Sequence, residues 1–239
     1  MINAAGRVVM ISGANRGIGL AIAQNLYKAG FSLSLGARKV SSLDNLINSA
    51  SHERVLYSKF DAMDKSSHKE WVNKTLEKFN RIDCLVNNAG IVESVSVDDD
   101  VDNEEALDKM WAVNVKAPLS LTRLTLPYLK ESGSGRVINV ASLAGKAVYG
   151  SSVGYSMTKF AAVALSHATR HGGWEYGVRC TALCPGYVAT DMTSNVESVS
   201  IDNMISTEDL AEIVKTVISL SNTASVAELI VNCKPDIIG

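Results

Sequence analysis

Tyr155 and Lys159 stand four residues apart in a stretch of helical period, Tyr155–His171. They therefore share one face, about a turn apart. A free phenol titrates at about 10, too high for efficient proton exchange at neutral pH. A neighbouring ammonium favours the phenolate and makes the phenol a usable general acid or base. Ser142 lies thirteen residues upstream, at the end of an apolar run, with a hydroxyl able to bond the same substrate oxygen. The small residues of the intervening loop, 143–154, would wall a pocket. The chemistry that these three fit is proton delivery to a carbonyl oxygen, or proton removal from an alcohol.

A second constellation lies near the N-terminus, where Ser12-Gly13-Ala14-Asn15-Arg16-Gly17-Ile18-Gly19 follows a strand-like run and opens a helical one. Glycine permits a tight turn and close approach of a phosphate to the backbone. The helix N-terminus adds free N–H groups and the positive end of a dipole. The spacing is G-x-x-x-G-x-G, and its strand–turn–helix setting is what makes it a phosphate-binding signal.

Both constellations need a scaffold. Residues 7–12, 31–37, 54–60, 82–87, 135–141, 178–184 and 227–231 are near-continuous Val, Ile and Leu runs, as expected of strands buried on both faces of a parallel sheet. Helical periods fall at 17–29, 42–50, 65–79, 104–129, 155–171 and 207–221. Seven strands alternating with six helices predict an α/β chain: one doubly wound Rossmann-type domain over 1–239, with a seven-stranded parallel sheet and helices on both faces. Ligands of such sheets bind beyond the carboxyl ends of the strands.

Composition narrows the function. The chain has 239 residues, 46% hydrophobic and 20% charged, which excludes a disordered polymer. A net charge of −2 gives no global field for nucleic acid or anionic lipid. The longest apolar stretch, Phe160–Leu165, is far short of a membrane span. The opening MINAAGR runs straight into a strand-like segment, so no signal peptide is expected. Cys84, Cys180, Cys184 and Cys233 form no C-x-x-C pair and do not group with the histidines, which points to reduced cysteines in a cytoplasmic protein and no metal.

With SGANRGIG at 12–19, Asp61 after the third strand, NNAG at 87–90, Asn114, Ser142, Tyr155-x-x-x-Lys159 and Pro185-Gly186 in this order, the chain resembles the short-chain dehydrogenase/reductase family, in its short single-domain branch. The resemblance runs from Arg7 to about Val231. It implies hydride transfer between a nicotinamide and a ketone, an aldehyde or, in reverse, a secondary alcohol. Tyr155 would be the acid/base, Ser142 would orient the carbonyl and Lys159 would hold the coenzyme ribose. Asn114 would hold a water linking Lys159 to solvent. The coenzyme would rest on Gly13, Asn15, Arg16, Gly17, Ile18 and Gly19, on Asp61 and Ala62 at the adenine, and on Asn88, Ala89 and Gly90. Pro185, Gly186, Val188 and Thr190 would hold the carboxamide and present the pro-S face. Ala144, Tyr149, Tyr187, Met192 and Val196 are the expected substrate pocket, and the polar 192–205 segment would close over it. A homo-oligomer, tetramer or dimer, is implied, with the fourth and fifth helices as its interface. The short end after Val231 departs from the family and leaves its tail contacts in doubt.

The second strand ends Ala37-Arg38-Lys39, with no acid before Asp44. NAD-specific enzymes place an acid there, and NADP-specific ones an arginine. A 2′-phosphate between Arg16 and Arg38 would gain charge-assisted hydrogen bonds of about 1.5–3 kcal/mol each, and about 1.4 kcal/mol is tenfold in affinity. NADPH is therefore the expected coenzyme. The alternatives are a 3-oxoacyl thioester reductase, an NAD-linked polyol or sugar dehydrogenase, which Arg38 opposes, and a nicotinamide-binding sensor without turnover, which the presence of all four catalytic positions opposes.

Three local features carry expectations of their own. The acids between Asp98 and Glu105 lack the glycine and glutamate of a calcium loop and read as a helix N-terminus. Pro118 and Pro127 predict a kink or break in the long fourth helix. His171-Gly172-Gly173-Trp174-Glu175 predicts an early end to the fifth.

Overall fold

The computed structural model describes residues 1–44, 53–99, 103–148 and 152–235. Seven strands, β1 (Val8–Ser12), β2 (Ser32–Ala37), β3 (Val55–Lys59), β4 (Cys84–Asn87), β5 (Arg136–Val140), β6 (Arg179–Pro185) and β7 (Glu228–Val231), form one sheet in the order β3-β2-β1-β4-β5-β6-β7. Every pairing is parallel, so all seven carboxyl ends lie along one edge. The order reverses between β1 and β4, which opens a crevice there.

Successive residues of a strand face opposite sides, and the core divides accordingly. Val9, Ile11, Leu33 and Leu35 pack under α1 (Gly17–Lys28) and α6 (Thr207–Ser219), which contribute Ile22, Leu26, Leu210 and Val214. Met10, Leu85 and Val137 face the other side, against Trp71 and Val72 of α2 (Lys65–Phe79) and Leu121 and Leu129 of α4 (Ala117–Glu131). α5 (Val153–Gly173) covers Ala182 and Cys184 with Ala162 and Val163. Burial raises the thiols of Cys84 and Cys180 to about 12 and that of Cys184 to about 11, which leaves them protonated and inert.

The local expectations fare differently. The long fourth helix is divided: α3 (Glu104–Trp111) passes through a π-helical turn, Ala112–Lys116, into α4. Pro118 has no N–H, so the carbonyl of Asn114 is denied its α-helical donor and the ladder re-registers just upstream. Pro127 is absorbed inside α4 without a break. The fifth helix ends at Gly173, inside the His171–Glu175 stretch where its end is expected, and a 3-10 turn, Trp174–Tyr176, follows before Gly177 turns the chain at φ 76°. A Cβ at Gly173 would meet Val178 Cβ at 2.6 Å, so the glycine there also lets the returning chain pack against the helix end. The helix expected at 42–50 is a 3-10 turn over Val40–Leu43, and 45–50 lie outside the described residues.

Gly36 couples sheet to turn. Its carbonyl accepts from the N–H of Gly13 (2.9 Å) and of Ala14 (3.3 Å). A Cβ there would stand 2.8 Å from Trp71 Cη2 and 2.9 Å from Phe60 Cβ. Trp71 cannot retreat, because its Nε1 donates to Ser34 Oγ (2.8 Å) in a buried network with Thr75. Gly36→Ala is expected to cost about 1–3 kcal/mol of stability through overpacking, read as a lowered urea midpoint at unchanged m-value.

Candidate active site

The turn after β1 is shaped by what surrounds it. Gly13 and Gly17 have φ of 65° and 53°, in the left-handed region that glycine tolerates. Gly19 tolerates no side chain, since a Cβ would lie 2.4 Å from Gly13 O and 2.5 Å from Asn88 Nδ2. Ser12 and Asn88 staple this turn to the loop after β4. Ser12 Oγ accepts from the N–H of Asn88 (3.0 Å) and of Ala89 (3.1 Å), while Asn88 Nδ2 donates to the carbonyls of Ser12 (3.0 Å) and Gly13 (3.1 Å). Asn15 and Ile18 stand half-buried beside them. Arg16 holds the N-cap of α1, whose first turn carries no acid and no side-chain cap from Arg16.

The segment after β6 meets this turn. Thr190 packs on Gly17, with Cγ2 3.3 Å from where a Cβ would be. Pro185 ends β6, Gly186 is pressed against Asn232, and Val188 is buried and bridged to Ile205. The chain between Val188 and Ile205 is thus closed at its base: Ala189 N–H donates to Ile205 O and Ile205 N–H to Tyr187 O, both at 3.0 Å. Met192 and Val196 lie on this excursion, Met192 half-exposed. Tyr187 lies at its root under Lys234, whose Nζ is 5.4 Å from the ring centre. Ala144 is half-buried in the 3-10 turn after Ser142, and Tyr149 falls outside the described residues.

The four proton-handling residues come from three elements. Ser142 caps the 3-10 turn Leu143–Gly145, its Oγ accepting from Ala144 N–H at 3.1 Å. Tyr155, half-buried, lies in the first turn of α5. Lys159 is 6% exposed; its ammonium donates to Val140 O at the end of β5 (3.0 Å) and lies 5.4 Å from the centre of the Tyr155 ring. Asn114, in the π-helical turn, clasps the backbone of Ile91 through both ends of its amide. Gly90 is the point of convergence: a Cβ there would be 3.4 Å from Asn114 Oδ1 and 3.6 Å from Lys159 Nζ.

A model of the short chain dehydrogenase family matches residues 7–200. The chain belongs to this family of oxidoreductases. It is 44% identical over 226 residues to an agropine synthesis reductase of Rhizobium rhizogenes, covering 95% of this chain and 52% of that protein. The chain thus spans about half the length of this curated relative. An uncharacterized oxidoreductase of Staphylococcus saprophyticus is 30% identical over 241 residues, covering 97% of each. Among solved structures, an alcohol dehydrogenase of the archaeon Thermococcus sibiricus in complex with 5-hydroxy-NADP has a TM-score of 0.83 at 30% identity, covering 94% of this chain and 95% of that one. A 3-ketoacyl-(acyl-carrier-protein) reductase of Brucella melitensis in complex with NADH has 0.87 at 25%, covering 96% and 98%.

Within this short-chain dehydrogenase two arginines fare differently. Arg38 is exposed beyond the end of β2. Arg16 reaches across the cleft to Asp191, 2.8 Å away, the two side chains 68% and 75% exposed. No local spacing reveals that pair, because the partners are 175 residues apart.

His68 is a support that motif reading missed. Its Nε2 bonds the carbonyl of Asp61 (3.0 Å), its Nδ1 meets Ser120 Oγ (3.0 Å), and its ring rests on Phe60. It sets the backbone of Asp61 and, through it, Ala62. The only signal in the sequence was its place one turn into α2, after the Asp64 cap. Burial holds the imidazole below its ordinary value of 6.5, against the opposing pull of the Asp64 and Asp61 carboxylates. The folded state thus favours the neutral ring, while the unfolded chain takes up a proton at higher pH. The contribution is fully present above 6.5 and is lost as pH falls through the depressed value. Between about pH 7.5 and about pH 5.5, urea unfolding should show a larger stability loss for the wild type than for His68→Gln.

Proposed function

We propose that this protein is an NADPH-preferring carbonyl reductase of the cytoplasm, acting on a small ketone or aldehyde, or on the secondary alcohol in reverse, as a homo-oligomer. The observation that carries the reading is the convergence on Gly90 of the Lys159 ammonium and the Asn114 amide, with Tyr155 one turn from Lys159 and the glycine turn stapled alongside. The residues fit a dinucleotide. The left-handed glycines and the α1 N-terminus would take the pyrophosphate, Asp61 and Ala62 the adenine, and Lys159 the ribose. Asn88, Ala89, Gly90, Val188 and Thr190 would line the nicotinamide end. When bound, the nicotinamide supplies or accepts the hydride.

The protein's own part is positioning and proton transfer. Ser142 and the phenol of Tyr155 hydrogen-bond the substrate oxygen and place its carbon. Tyr155 gives its proton to that oxygen as charge develops there, or takes one from the alcohol in reverse. Lys159, held by Val140 O with one of its three donors, stabilises the phenolate that remains. Asn114 holds the wall through which the proton is returned from solvent. Likeness to a ketoacyl reductase favours 3-oxoacyl thioester reduction as a second reading.

Coenzyme oxidation against ketones, aldehydes, diketones and acyl thioesters separates these readings. Tyr155→Phe should lower kcat by at least about a hundredfold while NADPH still binds. Coenzyme binding with no turnover on any compound would favour a nicotinamide sensor. Arg38→Asp should weaken NADPH by about ten- to hundredfold and NADH far less; equal losses, read by coenzyme fluorescence, would remove the NADPH preference.

A further inference from the structure

The side chain of Asn114 is committed inside the protein. Its Oδ1 accepts from Ile91 N–H (2.9 Å), and its Nδ2 donates to Ile91 O (2.9 Å) and to Thr158 Oγ1 (3.0 Å). Both amide hydrogens are spent, so this amide has no donor left for a substrate or coenzyme. Thr158 continues the chain, its hydroxyl donating to the carbonyl of Tyr155 at 2.8 Å. Thr158 is 0% exposed. One hydroxyl therefore joins the backbone of Tyr155 to the amide that fixes Ile91. Ile91 in turn follows Gly90, the residue lying against Lys159 Nζ.

Tyr155 needs such a bolt because of where it lies. It is the third residue of α5, in a first turn whose N–H groups have no intrahelical acceptors, and helix ends fray. The backbone ladder alone does not fix how far the phenol reaches. A hydroxyl on Thr158, the residue before Lys159, tied to another helix, does.

We infer that Thr158 is a positioning residue: through Asn114 it locks the first turn of α5 to the coenzyme-side loop and so sets the reach of the Tyr155 phenol. The inference rests on the acid–base reading of Tyr155. Thr158→Val keeps shape and volume, removes the donor to Tyr155 O and leaves one Asn114 hydrogen without an acceptor. With the fastest substrate of the panel, kcat should fall about tenfold or more, while the Kd for NADPH, read by coenzyme fluorescence, stays within about twofold. Thr158→Ser, which keeps the hydroxyl, should restore most of kcat. Thr158→Ala, smaller and free of any clash, should show the same split and serves if the valine variant folds poorly.

A lowered Tm with kcat within about twofold of wild type would overturn the inference and leave Thr158 a packing residue. So would a kcat loss matched by an equal loss of NADPH affinity, or one that serine does not restore. If Tyr155→Phe itself keeps its turnover, the acid–base reading fails instead, whatever Thr158 does.

Discussion

The crevice between β1 and β4 is the constraint on which the site depends. There the chain leaves neighbouring strands toward opposite faces of the sheet, and no ladder continues to pair the backbone. Unpaired buried N–H and C=O groups are costly. The cost is met by two side chains, the Ser12 hydroxyl taking two N–H groups and the Asn88 amide giving to two carbonyls. Small residues are then forced on the neighbourhood. Gly19 has the Gly13 carbonyl and Asn88 in the space a Cβ would need, and Gly13 is itself 3.0 Å from Ala89 Cα on the same measure. The glycines thus serve the joint between the two loops as well as any phosphate laid over it.

On the other side of the crevice the device is a defect in a helix. A long α-helix with proline at 118 must lose a hydrogen bond near Asn114, and the chain absorbs the loss as one π-helical turn. The turn directs the Asn114 amide to Ile91 and Thr158, away from solvent, with the residue 3% exposed. A helix with an unbroken ladder would have left its carbonyl bonded four residues on. The same proline, through the turn it forces, thus bears on the aim of the side chain.

The sheet was legible because strands buried on both faces leave long apolar runs, and each of the seven appears within two residues of its expected ends. α2 was legible at both ends: Asp64 caps it by accepting from Ser66 N–H, and Asn80 ends it in the left-handed region. The end of α5 was legible in the glycine pair at 172–173, but the close approach of Val178 to Gly173 was not, because that contact depends on how the chain returns. Proline gave the break in the fourth helix but not its kind, since an inserted residue leaves no compositional trace. Tyr155, Lys159 and the glycines are legible because their spacing is local. Thr158 and His68 act through partners 44 and 52 residues away, and a threonine or histidine in a helix is otherwise ordinary.

The two arginines expected to share a 2′-phosphate are no longer equivalent. Arg16 has a carboxylate at 2.8 Å, but the pair is in the open. Exposed pairs are worth about 0–1 kcal/mol, less than the roughly 1.5–3 kcal/mol of a charged hydrogen bond to a phosphate. A phosphate within reach would therefore displace Asp191 and keep the larger part of its gain. The pair taxes Arg16 without disabling it, and salt, by screening the pair, reduces the tax. Among the described residues Arg38 has no such competitor at the strand end, so on the NADPH reading the greater share of the discrimination would fall on it. Asp191 also lies on the excursion between Val188 and Ile205, so a phosphate that drew Arg16 away would release one of the side-chain ties between that segment and the glycine turn.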